Sequence, residues 1–165
     1  MSAPAVRLPV VRMATVDDAA GIARVHVLAW QQTYAPLVEP GELDALSVDA
    51  RAERWAANLD RGAAAWVAEI NGDVIGFGSV GGGDHDEQPR PLELGALYVI
   101  ADHHGTGAGQ ALLDAAIGDA PAFLFVADRN PRATRFYQRN GFAFDGVTEN
   151  HPLVRTPVLS LRMVR

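Results

Sequence analysis

The sequence contains no cysteine, which excludes disulfide bonds, thiolate metal ligands and cysteine nucleophiles. Long apolar runs are absent as well: the first residues, MSAPAVRLPVVRMA, lack the long apolar stretch that is typical of a signal peptide, and no segment reaches the length of a membrane span. Basic residues are few, with 14 Lys and Arg against 20 Asp and Glu, and the formal net charge is −6. We therefore expect a cytoplasmic protein whose partner is neither a membrane nor a nucleic acid.

The residues that are present predict one globular domain. The chain has 165 residues, of which 48% are hydrophobic and 21% are charged, so residues 1–165 can form a single well-filled core. An acidic protein of this kind has no general attraction to phosphate. If it binds a phosphate group, it must do so through local main-chain donors or a few arginines.

Hydrophobic periodicity and turn residues predict eleven elements in the order β-α-α-β-β-β-α-β-α-β-β. The sequence indicates a first strand at residues 8–13 and helices that begin near Thr15, near Ser47, after the glycines at 105–109, and at Asn130. Asn71-Gly72 predicts a tight hairpin turn. One strand-helix-strand unit implies a parallel strand pair, so the fold class is α/β with a mixed sheet.

The stretch His104–Gly109, HGTGAG, lies between an apolar strand and a helix. Glycines there let an anion approach the free N–H groups and the positive end of the helix dipole. The alternative is a tight turn with no ligand. The dinucleotide fingerprint fits poorly because Gln110 stands where its third glycine belongs, and the Lys-Ser/Thr pair of a P-loop is missing.

At this point the sequence resembles the GNAT superfamily of acetyl-CoA-dependent N-acetyltransferases. The family signature Q/R-x-x-G-x-G/A is matched by HGTGAG, with Gly107 and Gly109 in the glycine positions. The preceding LGALYVIADHH is similar to the family's fourth strand and turn, and NPRATRFYQRNGF at 130–142 is similar to its second conserved block. The resemblance implies a GNAT-like mixed, mostly antiparallel twisted sheet with one parallel pair, flanked by about four helices.

The resemblance also implies acetyl-CoA as the acetyl donor and a set of residues that bind it. His104 stands where the family has Gln or Arg, so we expect it to alter the affinity rather than abolish binding. Asn130 caps a helix and, in addition, is expected to contact the pantetheine arm. The implied cofactor-binding residues are Leu97, Val99, His104, Gly105, Thr106, Gly107, Ala108, Gly109 and Asn130.

For the chemistry, an amine must lose a proton and the leaving thiolate must gain one. No cysteine and no G-x-S-x-G motif offers a nucleophile, which leaves direct attack in a ternary complex. The resemblance implies Glu93 as the general base, directly or through a water, and Tyr137 as the general acid. The alternatives are that Glu93 is a surface carboxylate and that Tyr137 packs in the core beside Phe136.

The acceptor is not specified by any motif. In the family the segments that correspond to 30–46 and 81–91 flank the amine site, and here they contain Trp30, Tyr34 and several acidic residues. Aromatic faces and carboxylates favour a small cationic primary amine, although the acidic loop is equally explained as a solvated turn. A CoA-binding or sensor module without catalysis, and an enzyme acting on protein N-termini or lysines, remain alternatives.

No metal site is predicted from the sequence. His103 and His104 are adjacent, but no acidic residue or histidine stands at a recognised ligand spacing from them. The sequence leaves open whether the protein forms a homodimer.

Overall fold

The computed structural model describes residues 7–165. Its helices and strands follow one another in the predicted order, and the first strand is shorter than predicted. The strands are β1 (Val10–Met13), β2 (Ala65–Ile70), β3 (Asp73–Val80), β4 (Leu92–Val99), β5 (Ala122–Ala127), β6 (Ala143–Pro152) and β7 (Pro157–Val164). The helices are α1 (Ala19–Tyr34), α2 (Val48–Asp60), α3 (Ala108–Ala116) and α4 (Pro131–Arg139). The predicted domain at 1–165 includes residues 1–6, which lie outside the described residues, and its extent stays a prediction.

The described strands form one sheet in the order β1-β2-β3-β4-β5-β7-β6. Every neighbouring pair is antiparallel except β4 and β5, which are parallel. The predicted mixed sheet with one parallel pair is therefore confirmed. Among residues 7–165, no helix has the length and apolarity that crossing a bilayer requires.

Local sequence signals explain where the elements begin. The Asp18 carboxylate accepts a hydrogen bond from Thr15 N at 2.8 Å, but residues 16–18 form a 3-10 turn and α1 starts only at Ala19. At the β2–β3 hairpin, Asn71 and Gly72 have φ angles of 55° and 86°. These are the positive values that a type I′ turn demands, so this turn is as predicted.

Two groups of buried side chains form the core. One joins α1 to β2, β3 and α3, and includes Ile22, Phe77 and Leu112. The other joins α3 to β5, α4 and β7, and includes Leu113 and Leu124. Because α3 contributes to both groups, it is firmly seated on the sheet, and so is the glycine turn that precedes it.

The sheet opens in its middle, between β4 and β5. These two strands pair only at Leu92 with Ala122 and at Glu93 with Phe123, and beyond that point they diverge. A register shift against β3 leaves Gly95 as an extra residue in β4, where a side chain would clash with the Gly81 carbonyl. A bulge of this kind increases the local twist and bend of a strand, so Gly95 lies where β4 turns away from β5.

Candidate active site

A first cleft of about 550 Å³ fills the space between the diverging strands. One wall is β4 from Leu94 to Val99, and the other is the end of β5 from Phe125 to Ala127. The glycine turn and α4 close its two ends. Since residues 94–99 have β3 on one side only, part of their main-chain N–H and C=O groups faces the open cleft.

The glycine turn presents its main chain to this cleft. The N–H groups of residues 105–110 donate to no protein acceptor in the described part of the chain. Gly105 and Gly107 have φ angles of 78° and 89°, a region that suits glycine, and α3 begins directly afterwards at Ala108. Free N–H groups at a helix N-terminus are an anion-binding arrangement.

The side chains of the glycine turn contribute little to this anion-binding arrangement. His104 Nε2 donates to Val99 O at 2.8 Å, which ties the turn to the end of β4. The Thr106 hydroxyl donates to His103 O at 2.8 Å, and the Ala108 side chain is buried in the core. Thr106 and Ala108 can therefore contribute to a ligand site only through their main chain.

Three arginines of α4 also line the first cleft. Arg132, Arg135 and Arg139 stand three and four residues apart, so they share one face of the helix, and all three border the cleft. Asn130 caps this helix by accepting a hydrogen bond from Ala133 N at 3.2 Å, and it borders the cleft too. We did not predict the arginines, although their spacing in NPRATRFYQR could have identified them.

Tyr137 is both a core residue and a wall of the first cleft. It is 8% exposed, and its ring packs edge-on against Phe136 and Phe142. Its hydroxyl has no hydrogen-bond partner among the described residues and its pKa is raised by burial. The hydroxyl is therefore protonated at neutral pH and free to donate a hydrogen bond.

A second cleft, of about 470 Å³, adjoins the first. Its lining includes the 81–85 loop, Glu93 and His151, and the two clefts share several residues and are therefore continuous. The shared residues are Tyr34, Leu94, Gly95, Tyr98, Phe125 and Ala127.

Glu93 is turned into the second cleft rather than outward. Its side chain is 12% exposed, so it is not the surface carboxylate that the alternative interpretation describes. Glu93 Oε1 accepts a hydrogen bond from His85 Nε2 at 2.8 Å, and Oε2 accepts one from Gly83 N at 3.2 Å. The carboxylate thus has a fixed direction.

His85 continues into a cluster that the sequence analysis missed. Its Nδ1 lies 3.2 Å from Glu149 Oε2, and His151 Nε2 lies 2.6 Å from the same oxygen. Desolvation disfavours the charged ring, but Glu93 and Glu149 outweigh it and raise the pKa of His85. Since both ring nitrogens face carboxylates, we assign His85 as an imidazolium.

The same cluster is the place where a metal ion would find ligands. Donor atoms of His85, Glu149 and His151 lie within 4.8 Å of one another. In this structure the same atoms are hydrogen-bonded to one another. Residues 85 and 149 are 64 positions apart, and no sequence spacing reveals their contact.

The two residues expected at the acceptor site lie in different surroundings. Tyr34 lines both clefts, and its hydroxyl is 3.1 Å from the Tyr98 hydroxyl. Trp30 borders neither cleft: its ring lies against His26 and Tyr34 and beneath the Arg51 guanidinium at 4.7 Å. Trp30 can therefore support Tyr34 but has no direct access to a ligand in either cleft.

The acidic residues of the loop at 81–91 also lie in different surroundings. Asp84 borders the second cleft, whereas Asp86 and Glu87 do not, and both of them are exposed. Glu87 lies 3.5 Å from Arg162 at the surface. Only the first part of the loop can therefore act on an acceptor, and the rest matches the solvated-turn interpretation.

Known proteins resemble this chain along most of its length. The model of the acetyltransferase (GNAT) family matches residues 23–142. A Mycobacterium tuberculosis protein named Probable N-acetyltransferase is 29% identical over 164 residues, which are 94% of this chain and 93% of the relative. A Bacillus subtilis protein named Uncharacterized N-acetyltransferase YuaI is 31% identical over 135 residues, which are 78% of this chain and 76% of YuaI.

Solved structures share the fold. The structure of yncA from Salmonella typhimurium, determined with its cofactor acetyl-CoA, superposes with a TM-score of 0.67. It is 21% identical to this chain and covers 96% of it, while this chain covers 94% of yncA.

Proposed function

The chain belongs to the GNAT family of acetyltransferases, and on that premise we propose that it acetylates the primary amine of a small cationic molecule by direct attack on acetyl-CoA. The observation that carries the proposal is the opening between β4 and β5, which joins two unlike sites. Main-chain N–H groups without an acceptor in the described part of the chain line it on one side, and a carboxylate lies in the adjoining cleft. A donor and an acceptor can meet there without a covalent enzyme intermediate.

For the donor, we propose that the pyrophosphate of acetyl-CoA binds against residues 104–109. The free N–H groups and the N-terminus of α3 favour a doubly charged anion at that point. Arginines on the facing side of α4 add positive charge. The pantetheine arm would then run along β4 past Leu97 and Val99 and near Asn130, and a main-chain N–H of β4 would polarise the thioester oxygen.

For the chemistry, we propose Glu93 as the general base and Tyr137 as the general acid. Glu93 lies in the second cleft with both oxygens oriented by hydrogen bonds, which suits a group that removes protons from an entering amine. Tyr137 borders the first cleft with a hydroxyl that has no hydrogen-bond partner among residues 7–165. Its proton can pass to the thiolate sulfur when the thioester bond breaks.

For the acceptor, the charged residues of the second cleft favour a cationic molecule. Asp84, Glu93 and His85 border this cleft, and Glu149 lies behind it against His85, so the carboxylates outnumber the imidazolium. The rings of Tyr34 and Phe125 also border this cleft, and aromatic rings attract an ammonium group. A small amine such as a polyamine, an amino sugar or an amino-acid derivative matches these features.

The test is a panel of amines assayed for release of the free CoA thiol. We expect turnover with small cationic amines and little with amines that carry a carboxylate near the nitrogen. Exclusive activity on acidic amines, on protein N-termini or on lysine side chains would contradict the acceptor proposal. Calorimetric binding of acetyl-CoA without thiol release from any amine would instead indicate a binding or sensor module.

A further inference from the structure

A line of alternating acidic and basic side chains runs behind the second cleft. It begins at Glu93, passes through His85 and Glu149, and ends at His151, with consecutive atoms 2.8, 3.2 and 2.6 Å apart. His85 is the most buried member, with 5% of its side chain exposed, whereas Glu149 and His151 are 32% and 40% exposed. The line therefore connects an inner carboxylate to the protein surface.

His85 is held on every side. Its ring stacks on Phe125 with centroids 4.9 Å apart and meets the edge of Phe123 at 5.7 Å. The titratable groups that contact it are Glu93 from β4 and Glu149 from β6, and His151 lies beyond Glu149. Strand β5 contributes these aromatic rings, so the two carboxylates are the charged groups that contact His85.

Glu93 has a 12% exposed side chain, and the His85 ring lies at hydrogen-bond distance from it. A carboxylate that leaves water for a closed site tends to take up a proton, and a protonated Glu93 is no base. When acetyl-CoA and an amine fill both clefts, the remaining solvent around Glu93 is displaced. A fixed positive charge at hydrogen-bond distance from Oε1 opposes that protonation, while Oε2 accepts the Gly83 N–H at 3.2 Å and keeps its second lone pair for the amine.

We propose that His85 is the positioning residue of Glu93: held between Glu93 and Glu149, it orients the Glu93 carboxylate in the second cleft and supplies the charge that keeps it an anion. The inference rests on the proposed role of Glu93 in acetyl transfer. His85 itself exchanges no proton with the substrates, and Glu149 acts one step further back by holding the imidazolium. The raised pKa of His85 agrees with this arrangement.

The activity test is the pH dependence of kcat/KM for the amine in the wild type and in His85→Gln. The glutamine amide can still donate to Glu93 but carries no charge. We expect the acidic limb of the profile to move up by about one pH unit, so that activity on that limb falls about tenfold. The KM for acetyl-CoA should stay within about twofold of the wild type. A loss of kcat that is equal at every pH would show a merely structural role and overturn the proposal.

A second measurement does not depend on activity. The ring signals of His85 are followed by NMR during a pH titration of the wild type, Glu93→Gln and Glu149→Gln. We expect the wild-type ring to lose its proton above its ordinary value of 6.5 and each variant to lose it at a lower pH than the wild type. An unshifted wild-type ring would contradict the pairing, as would a shift that disappears on adding a chelator, since a bound metal ion would then hold the cluster. If the ring behaves as expected but no amine is acetylated, the pairing stands and the proposed function fails.

Discussion

The glycine turn at His104–Gly109 and the pocket around Glu93 lie at opposite ends of β4 and offer different kinds of chemical groups to a ligand. The turn offers main-chain N–H groups, and its Thr106 and Ala108 side chains are engaged elsewhere. The pocket offers side chains that come from a loop, from β4 and from β6. A site made of main chain tolerates exchange of its side chains as long as the backbone keeps its path, whereas a site made of side chains does not.

The largest effect is expected at the pocket. Replacing Glu93 with Gln removes the base but preserves the shape of the side chain, and kcat should fall about 100-fold or more, most strongly at low pH where the amine is fully protonated. The dissociation constant of acetyl-CoA should hardly change. Glu87→Gln is the matched control, because Glu87 lies in the preceding loop and borders neither cleft. An unchanged pH–rate profile in Glu93→Gln would assign the base to a water chain or another carboxylate.

At the glycine turn, we expect substitutions to weaken acetyl-CoA binding rather than to slow the acetyl transfer step. Gly107→Val places a β-branched residue at a φ of 89° and crowds the free N–H groups. From strain and lost hydrogen bonds together, the affinity for acetyl-CoA should fall about 100-fold in calorimetry. His104→Ala should cost only about threefold to fivefold, because its side chain bonds to Val99 O and a main-chain site does not depend on it.

The variant Gly62→Val distinguishes the effect of backbone strain from the loss of acetyl-CoA recognition. Gly62 has the same φ of 89° and equally open surroundings, but it follows α2 and borders neither cleft. This variant should lose stability to a similar degree as Gly107→Val and still bind acetyl-CoA normally. Equal affinities for acetyl-CoA in Gly107→Val and His104→Ala would contradict main-chain recognition.

Between the two sites, Tyr137→Phe should have an intermediate effect. The hydroxyl has no protein partner among the described residues, so its removal leaves the packing of the ring intact. We expect kcat to fall about tenfold through loss of the general acid, with the affinity for acetyl-CoA retained. Full activity in this variant would mean that solvent protonates the thiolate.

The smallest effect is expected for Gly109→Ala. Gly109 is the second residue of α3, has no positive φ, and an added Cβ would meet only Phe136 at 3.8 Å. Alanine should therefore stabilise the fold by about 0.5–1 kcal/mol in thermal unfolding. Because the methyl group narrows the cleft, acetyl-CoA affinity should drop about threefold. Tighter binding in this variant would argue that the cofactor does not approach α3 at this point.

The same contrast explains what the sequence could predict. The element order, the hairpin at Asn71-Gly72 and the glycine turn depend on neighbouring residues, and all three are observed as predicted. The start of β4 is also local, and together with the family resemblance it made Glu93 a candidate. Its inward direction could not be predicted, because it is fixed by contacts with Gly83 and His85 of the preceding loop.

The features that the sequence could not predict depend on contacts between distant segments. His85 meets Glu149 only because β6 pairs with β7 at the far end of the sheet and brings residue 149 over the 81–85 loop. Trp30 stands one helical turn from Tyr34, but its ring lies under Arg51 of α2, a residue whose position no periodicity in α1 reveals. When the side chains of a site come from three separate elements, the sequence of no single element contains a pattern that predicts the site.

The central claim is that the main chain of residues 105–110 binds the cofactor while the pocket around Glu93 acts on the amine. The most direct measurement is a series of ¹H–¹⁵N spectra recorded as CoA, and then a cationic amine, is added to the wild type and to Glu93→Gln. We predict that CoA moves the amide protons of residues 105–110 downfield in both proteins, whereas the amine moves those of residues 81–83 and leaves the turn unchanged. Amides at 105–110 that stay in place at saturating CoA would contradict the account.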